Sequence, residues 1–236
     1  SKTSYREFDG VGAIIIERYD RMHADDAIVR IHQEDFCQAL GYLPANKYDV
    51  VTSDALALIK AFADTKSMND FADALMFNYL VGGIDAHAKN YSLLHLGAGE
   101  TMLAPLYDLA SVLPYEKLVS SRWRKIPMTI GGERKIGALT GSDLDKFAAS
   151  ADLAPDAVRM RMRYLATSIP DAISDVGQKY SAIDGMDRVI SEMQRTVSAN
   201  CRAMLANIDR NHASFIRPGL SIINSGNIPR KRSFSR

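Results

Sequence analysis

Between Gly82 and Ser92 the chain reads Gly-Gly-Ile-Asp85-Ala-His87-Ala-Lys89-Asn90-Tyr-Ser. The six residues from Asp85 to Asn90 hold a carboxylate, an imidazole, an amine and a carboxamide. A helical pattern precedes them and a glycine-turned pair of strands follows. They therefore fall on a loop between regular elements, where reactive groups are usually presented. Phosphoryl transfer from ATP needs few protein parts: a carboxylate to orient the acceptor hydroxyl and take its proton, oxygen ligands for magnesium, and a cation near the transferred group. Asp85 can supply the first, Asn90 one of the oxygens, and Lys89 a point charge directed at the γ-phosphate.

The spacing sharpens this. Protein kinases carry their base aspartate and a metal-binding asparagine with four residues between them, as Asp85 and Asn90 are spaced. A second metal ligand is then expected just after the hairpin. The segment Ala104-Pro-Leu-Tyr107-Asp108-Leu-Ala-Ser111 places Asp108 where kinases have their Asp-Phe-Gly aspartate, with Leu109 and Ala110 following instead of Phe-Gly. Magnesium suits such sparse oxygen coordination, completed by water and phosphate. Taken singly, each residue has a plainer account: a loop Asp or Asn is commonly a turn or cap residue, and a lone His a hydrogen-bonded structural one. Asp85 and His87, two apart, would also suit a metal-dependent hydrolase. That chemistry needs further ligands, and only His95 and His212 follow, neither in a cluster. The joint pattern is far more specific than any of its members.

Several elements must position these groups. The β-branched run over 11–19 predicts a buried strand, and a short second strand is expected over 29–32. Residues 34–40, stopped by Gly41, read as a short helix, and 54–63 as another. Ser67 and Asp70 resemble a capping box for a helix through 76–81, which Gly82-Gly83 ends. Strands at 91–96 and 101–105 flank Gly97-Ala98-Gly99, a hairpin signal. Ser142 with Asp145 marks a further helix start, and Pro155 and Pro170 two more. Apolar residues from Met186 to Ile208 recur at steps of three or four, predicting one long amphipathic helix whose methionines belong to the core. No internal repeat is visible. The expected fold class is mainly α with a small β component (α+β).

Composition narrows the class. The chain has 236 residues, 47% hydrophobic and 24% charged, with a net charge of +1. These values describe an ordinary globular protein with room for a core and no bulk electrostatic bias toward nucleic acid. Cys37 and Cys201 are distant and set among apolar neighbours, so both are expected to be buried free thiols in a reducing compartment. No apolar run approaches a membrane span and no signal peptide is visible, so a cytoplasmic location is expected. Residues 217–236 hold glycines, prolines and Arg230-Lys231-Arg232, and read as a basic disordered tail that could reach DNA phosphates.

The chain resembles the C-terminal part of the HipA family, the serine/threonine kinase toxins of bacterial type II toxin–antitoxin systems. The resemblance is carried by Ile16-Glu17-Arg18-Tyr19-Asp20-Arg21, Gln33 to Gln38 with Ala39-Leu40-Gly41, Lys47-Tyr48, Asp85 to Ser92, and Ala104 to Ser111, in the family's order. It implies the larger lobe of a protein-kinase-like fold over 1–216, with a hinge strand near 11–19, a catalytic loop at 82–92, a metal-binding segment at 104–111 and a helical bundle at 142–212. It implies Asp85 as catalytic base, Asn90 and Asp108 as magnesium ligands, Glu17 and Tyr19 as the hinge facing adenine, and His87 and Tyr107 as nucleotide contacts. Gln33, Glu34 and Asp35 become structural support for the site. ATP and magnesium are the implied cofactors. A translation-related protein is the implied substrate, and a helix-turn-helix antitoxin on operator DNA the implied partner.

One departure tempers these implications. The family's smaller lobe, with its phosphate-covering loop and strand-borne lysine, does not precede Val11, and Gly10-Val11-Gly12 is too short to be a phosphate cradle. The chain therefore reads as part of a longer protein, and two other readings stand beside the kinase lobe. One is a non-catalytic module that binds an antitoxin. The other is a small-molecule kinase, since sugar- and choline-type kinases share the Asp-to-Asn spacing.

Overall fold

The computed structural model of the protein describes residues 1–24, 27–115 and 119–210. The chain opens with a hairpin, β1 (Thr3–Phe8) against β2 (Val11–Ile16). Asp9 and Gly10 form its two-residue turn with φ of 49° and 78°, the left-handed geometry that lets a tight turn follow the strands' twist. The sequence predicted a buried strand over 11–19. The strand ends at Ile16, and its apolar side chains are exposed, Ile14 by 73% and Val11 by 68%. β-Branched residues fit a pleated ladder whether or not a second layer covers them, and that is why the pattern misled about burial. Glu17, Arg18 and Tyr19 run on as non-ladder backbone.

A second hairpin follows, β3 (Arg21–Ala24) with β4 (Ala27–Arg30), and then β5 (His32–Asp35). Asp35 ends β5 by capping α1 (Phe36–Ala39): the Gln38 N–H donates to Asp35 Oδ1 at 3.0 Å, and the Gln38 side chain returns the contact to the Asp35 N–H at 2.9 Å. The predicted helix at 34–40 is thus shorter, because Glu34 and Asp35 are held in the sheet. Next come α2 (Thr52–Phe62) and α3 (Thr65–Val81). The cap of α3 is Asp64, which accepts from the Ser67 N–H at 2.7 Å, so the helix starts earlier than Ser67, where the sequence pointed. β6 (Ser92–Gly97) and β7 (Glu100–Leu103) form the expected hairpin, and β5 joins β6 to make a three-stranded antiparallel sheet.

The remaining elements are the hairpin β8 (Lys125–Ile130) and β9 (Glu133–Lys135), α4 (Gly141–Ala151), α5 (Pro155–Lys179) and α6 (Met186–Asn207). Pro170 was expected to start a helix but lies inside α5. An interior proline costs one backbone hydrogen bond. Here Val158, Met162, Ala166, Ile169 and Ile173 form one buried stripe through that point, and a continuous apolar face offsets the loss. α6 matches the predicted amphipathic helix and packs along α5.

α3 is the central strut. It contacts α2, α5, α6, β7 and β8. Phe71 sits between Phe36 and Tyr91, with ring centroids 5.7 and 5.2 Å away, and all three are buried to within 2%. Burying one such ring contributes on the order of 1.5–3 kcal/mol. The loop 82–92 therefore leaves the end of a rigid helix. Cys37 and Cys201 are both free and buried, as expected. Residues 211–236, which include the predicted basic tail, lie outside the described residues.

Candidate active site

The loop begins at Gly82, whose φ of 77° terminates α3. Space as well as backbone demands glycine here: a Cβ on Gly82 would lie 2.5 Å from Leu113 Cγ, and one on Gly83 2.4 Å from Asn78 Oδ1. Asp85 then stands exposed on a turn, closed by the His87 N–H donating to the Asp85 carbonyl at 2.8 Å. A single 3₁₀ turn, Ala88–Asn90, follows. Asn90 is buried, and its amide nitrogen donates to the Asp85 carbonyl at 3.1 Å and to the Asp108 carbonyl at 3.5 Å. Asn90 thus joins the two aspartates that the sequence singled out. Asp108 adopts a left-handed φ of 54°. The Ser111 hydroxyl donates to the Val81 carbonyl at 2.5 Å, and the Val112 N–H to the Gly82 carbonyl at 3.1 Å, tying segment 104–111 back to the loop.

The Asp85 carboxylate accepts a hydrogen bond from the Tyr48 hydroxyl, and His87 Nε2 lies 3.9 Å from Asp85 Oδ1. Tyr48 and His87 meet edge to face at 5.2 Å. The bond to Asp85, with some burial, pushes the Tyr48 hydroxyl up to about 12, so it remains a donor. Burial, with the Lys47 charge nearby, holds the His87 imidazole below its usual value, so it is neutral at neutral pH. His87 Nδ1 is buried, and among the described residues it has no hydrogen-bond partner. Sequence reasoning gave Tyr48 no role. The signal was the Lys47-Tyr48 pair itself, but a partner 37 residues away cannot be read from spacing.

A second network underpins the loop. Gln33 Nε2 donates to Ser92 Oγ at 3.0 Å, Ser92 Oγ meets the Tyr107 hydroxyl at 2.6 Å, and that hydroxyl donates to the Lys89 carbonyl at 2.6 Å. Burial pushes Tyr107 up to about 12. Tyr19 stacks on Tyr107 with centroids 6.1 Å apart. Glu34 bonds His95 Nε2 at 2.7 Å. Gln33, Glu34 and Asp35 therefore each support the sheet or the loop, in line with their expected role.

Two expected site residues, Lys89 and Glu17, have partners within the protein. Lys89 Nζ pairs with Asp35 Oδ2 at 2.7 Å, so its ammonium ties the loop to the start of α1. The attraction follows from a half-buried lysine beside a nearly buried carboxylate. The Glu17 N–H is engaged by the Lys2 carbonyl at 2.9 Å, and its carboxylate by Lys2 Nζ at 3.5 Å on the surface.

Asn90 and Asp108 offer hard oxygen atoms: with the Asn90 nitrogen committed to two carbonyls, its Oδ1 is the atom left for a cation, and the Asp108 carboxylate forms no hydrogen bond among the described residues. That donor set fits magnesium. Among the described residues no three His, Cys, Asp or Glu side chains gather to hold a metal, so Asp85 and His87 do not gain the further ligands a hydrolase would require.

A mainly helical body, small antiparallel sheets and a loop–hairpin–aspartate sequence at the end of α3 define the class: an α+β fold corresponding to the larger lobe of a kinase-like protein. Residues 1–173 match the HipA-like C-terminal domain, and the chain belongs to that family. Y4mE of Sinorhizobium fredii is 36% identical over 178 residues, which are 72% of this chain and 41% of Y4mE. The serine/threonine-protein kinase toxin HipA of Shewanella oneidensis is 27% identical over 216 residues, 84% of this chain and 49% of that protein. The chain thus spans about half the length of the curated relatives it matches. Among solved structures, the complex of Shewanella oneidensis HipA, HipB and operator DNA superposes with a TM-score of 0.77 at 24% identity, covering 88% of this chain and 52% of that one. The Helicobacter pylori proinflammatory kinase CtkA does so with a TM-score of 0.50 at 12% identity, covering 87% and 77%.

Proposed function

We propose that this chain is the catalytic lobe of an ATP-dependent serine/threonine protein kinase. The observation that carries the reading is the Asn90 carboxamide, whose nitrogen donates to the Asp85 and Asp108 backbone carbonyls and leaves its oxygen available to a cation. Asp85 orients the acceptor hydroxyl and takes its proton as the oxygen accepts the phosphoryl group. Asn90 and Asp108 would hold magnesium, which supplies charge neutralisation on the phosphates. Tyr19 and the Glu17 carbonyl meet the adenine edge, and His87 and Tyr107 border the nucleotide from the loop side. Lys89 acts by positioning, through its ion pair with Asp35. The relative named as a serine/threonine-protein kinase toxin supports the reaction class. The HipA–HipB–operator complex supports an antitoxin partner and, through it, DNA. Among the described residues no helix is long and apolar enough to cross a membrane, and a cytoplasmic site of action accords with two buried thiols.

The test is a phosphotransfer assay on the longer protein that contains this lobe, with labelled ATP and a magnesium titration. Asp108→Asn should raise the magnesium needed for half-maximal transfer about tenfold or more, since it removes a charged ligand. An unchanged magnesium requirement would remove Asp108 from the metal site.

A further inference from the structure

A cleft of about 880 Å³ opens beside Asp85, and the reading above does not use it. Its lining includes Tyr48, the residue that donates to the Asp85 carboxylate, and Ile84, the neighbour of Asp85. It also includes Trp123 and three cations, Arg122, Lys125 and Arg134. All three cations are exposed, and Trp123, the sole tryptophan of the chain, is 62% exposed. The Arg122 guanidinium lies over the Trp123 ring at 5.2 Å. Among the described residues no carboxylate lines the cleft. A large aromatic left in water beside exposed cations is a surface that gains by being covered, since Trp and Arg are among the side chains that contribute most at interfaces.

We propose that this cleft receives an acidic segment of the protein acceptor, one flanking the hydroxyl that enters at Asp85. The proposal deepens the kinase reading and takes from it only the identity of the residue delivered to Asp85. Charge complementarity selects the occupant: three cations with no acid among them attract and orient a run of Asp or Glu, while Ile84 and Trp123 offer an apolar seat for one neighbouring side chain. A nucleic-acid strand fits less well. Strand binding uses a basic track with successive stacking aromatics, whereas here one tryptophan faces a compact group of cations on a chain of net charge +1. The cleft adjoins Asp85 through Tyr48, whose hydroxyl donates to that carboxylate.

The experiment titrates the full chain, without nucleotide, against two fluorescein-labelled peptides. One holds a serine and a phenylalanine among glutamates, and the other has lysines in place of the glutamates. The acidic peptide should bind at least about tenfold more tightly, and the preference should shrink as salt rises. Arg122→Glu and Lys125→Glu should each weaken it about tenfold, with Arg122→Gln and Lys125→Gln intermediate and thermal midpoints unchanged. Equal binding of the two peptides, or indifference to both charge reversals, overturns the proposal. So does tighter binding of an oligouridine lost in the same variants, which would assign the cleft to nucleic acid. The kinase reading fails separately: acidic-peptide binding with no transfer from ATP by the longer protein would leave the cleft standing and remove the catalysis.

Discussion

At the residue scale the account turns on what surrounds Asp85. The carboxylate is exposed, yet one of its oxygens is fixed by Tyr48 and its backbone carbonyl by Asn90 and His87. Tyr48→Phe removes a donor without opening a cavity. Because Tyr48 is 50% exposed, the change should shift stability by less than about 0.5 kcal/mol, while the turnover of the longer enzyme falls roughly three- to tenfold with little change in KM for ATP. Steady-state kinetics beside a thermal melt would check both; a large loss of stability with normal turnover would make Tyr48 merely structural. That Asp85, Asn90 and Asp108 come together was legible in the sequence, because they lie on one loop and the segment after the next hairpin. Tyr48 and the Lys89–Asp35 pair were not, since each joins groups brought together only by the fold of α1, α3 and the sheet.

At the scale of elements, the loop owes its placement to how α3 is finished. Asn200 of α6 is buried, and its amide nitrogen donates to the Tyr79 and Leu80 carbonyls at 3.0 and 2.9 Å. These are carbonyls of the last helical turn, which need such partners. Asn200→Ala leaves them short and should cost about 1–3 kcal/mol in urea unfolding; a cost near zero would mean that water replaces the amide. The turn after β2 depends on Asp20, whose carboxylate accepts from Arg18 at 2.7 Å and from Arg21 at 2.5 Å. Chiefly the Arg18 bond lowers its pKa from 3.8 to about 2. A lowered folded-state value means stability that is present above about pH 4 and lost as pH falls through about 2. Asp20→Asn should therefore cost on the order of 1–2 kcal/mol at pH 7, and the gap from wild type should narrow by pH 3. A gap that is constant across that range would contradict the assignment. The β6–β7 hairpin was readable from its glycines and α6 from its periodicity. β8 was missed although Ile126, Met128 and Ile130 alternate inward, because Pro127 interrupts the strand signal. Pro170 misled for the opposite reason, since the buried stripe of α5 outweighs a local breaker.

At the scale of the whole molecule, the helical body and the sheet present their chemistry at one end of α3, and the family match covers the segments that do so. The fold class was legible because periodicity and turn residues agree with the final packing through most of 32–208. Burial of the first hairpin was not, because a β-branched run specifies a ladder and not what lies over it. The most direct measurement is transfer of labelled γ-phosphate to protein by the longer enzyme carrying this lobe, wild type against Asp85→Asn. Asp85→Asn should lower the rate of transfer at least about a hundredfold with nucleotide binding retained, as removal of a general base requires. Transfer by Asp85→Asn at the wild-type rate would contradict it.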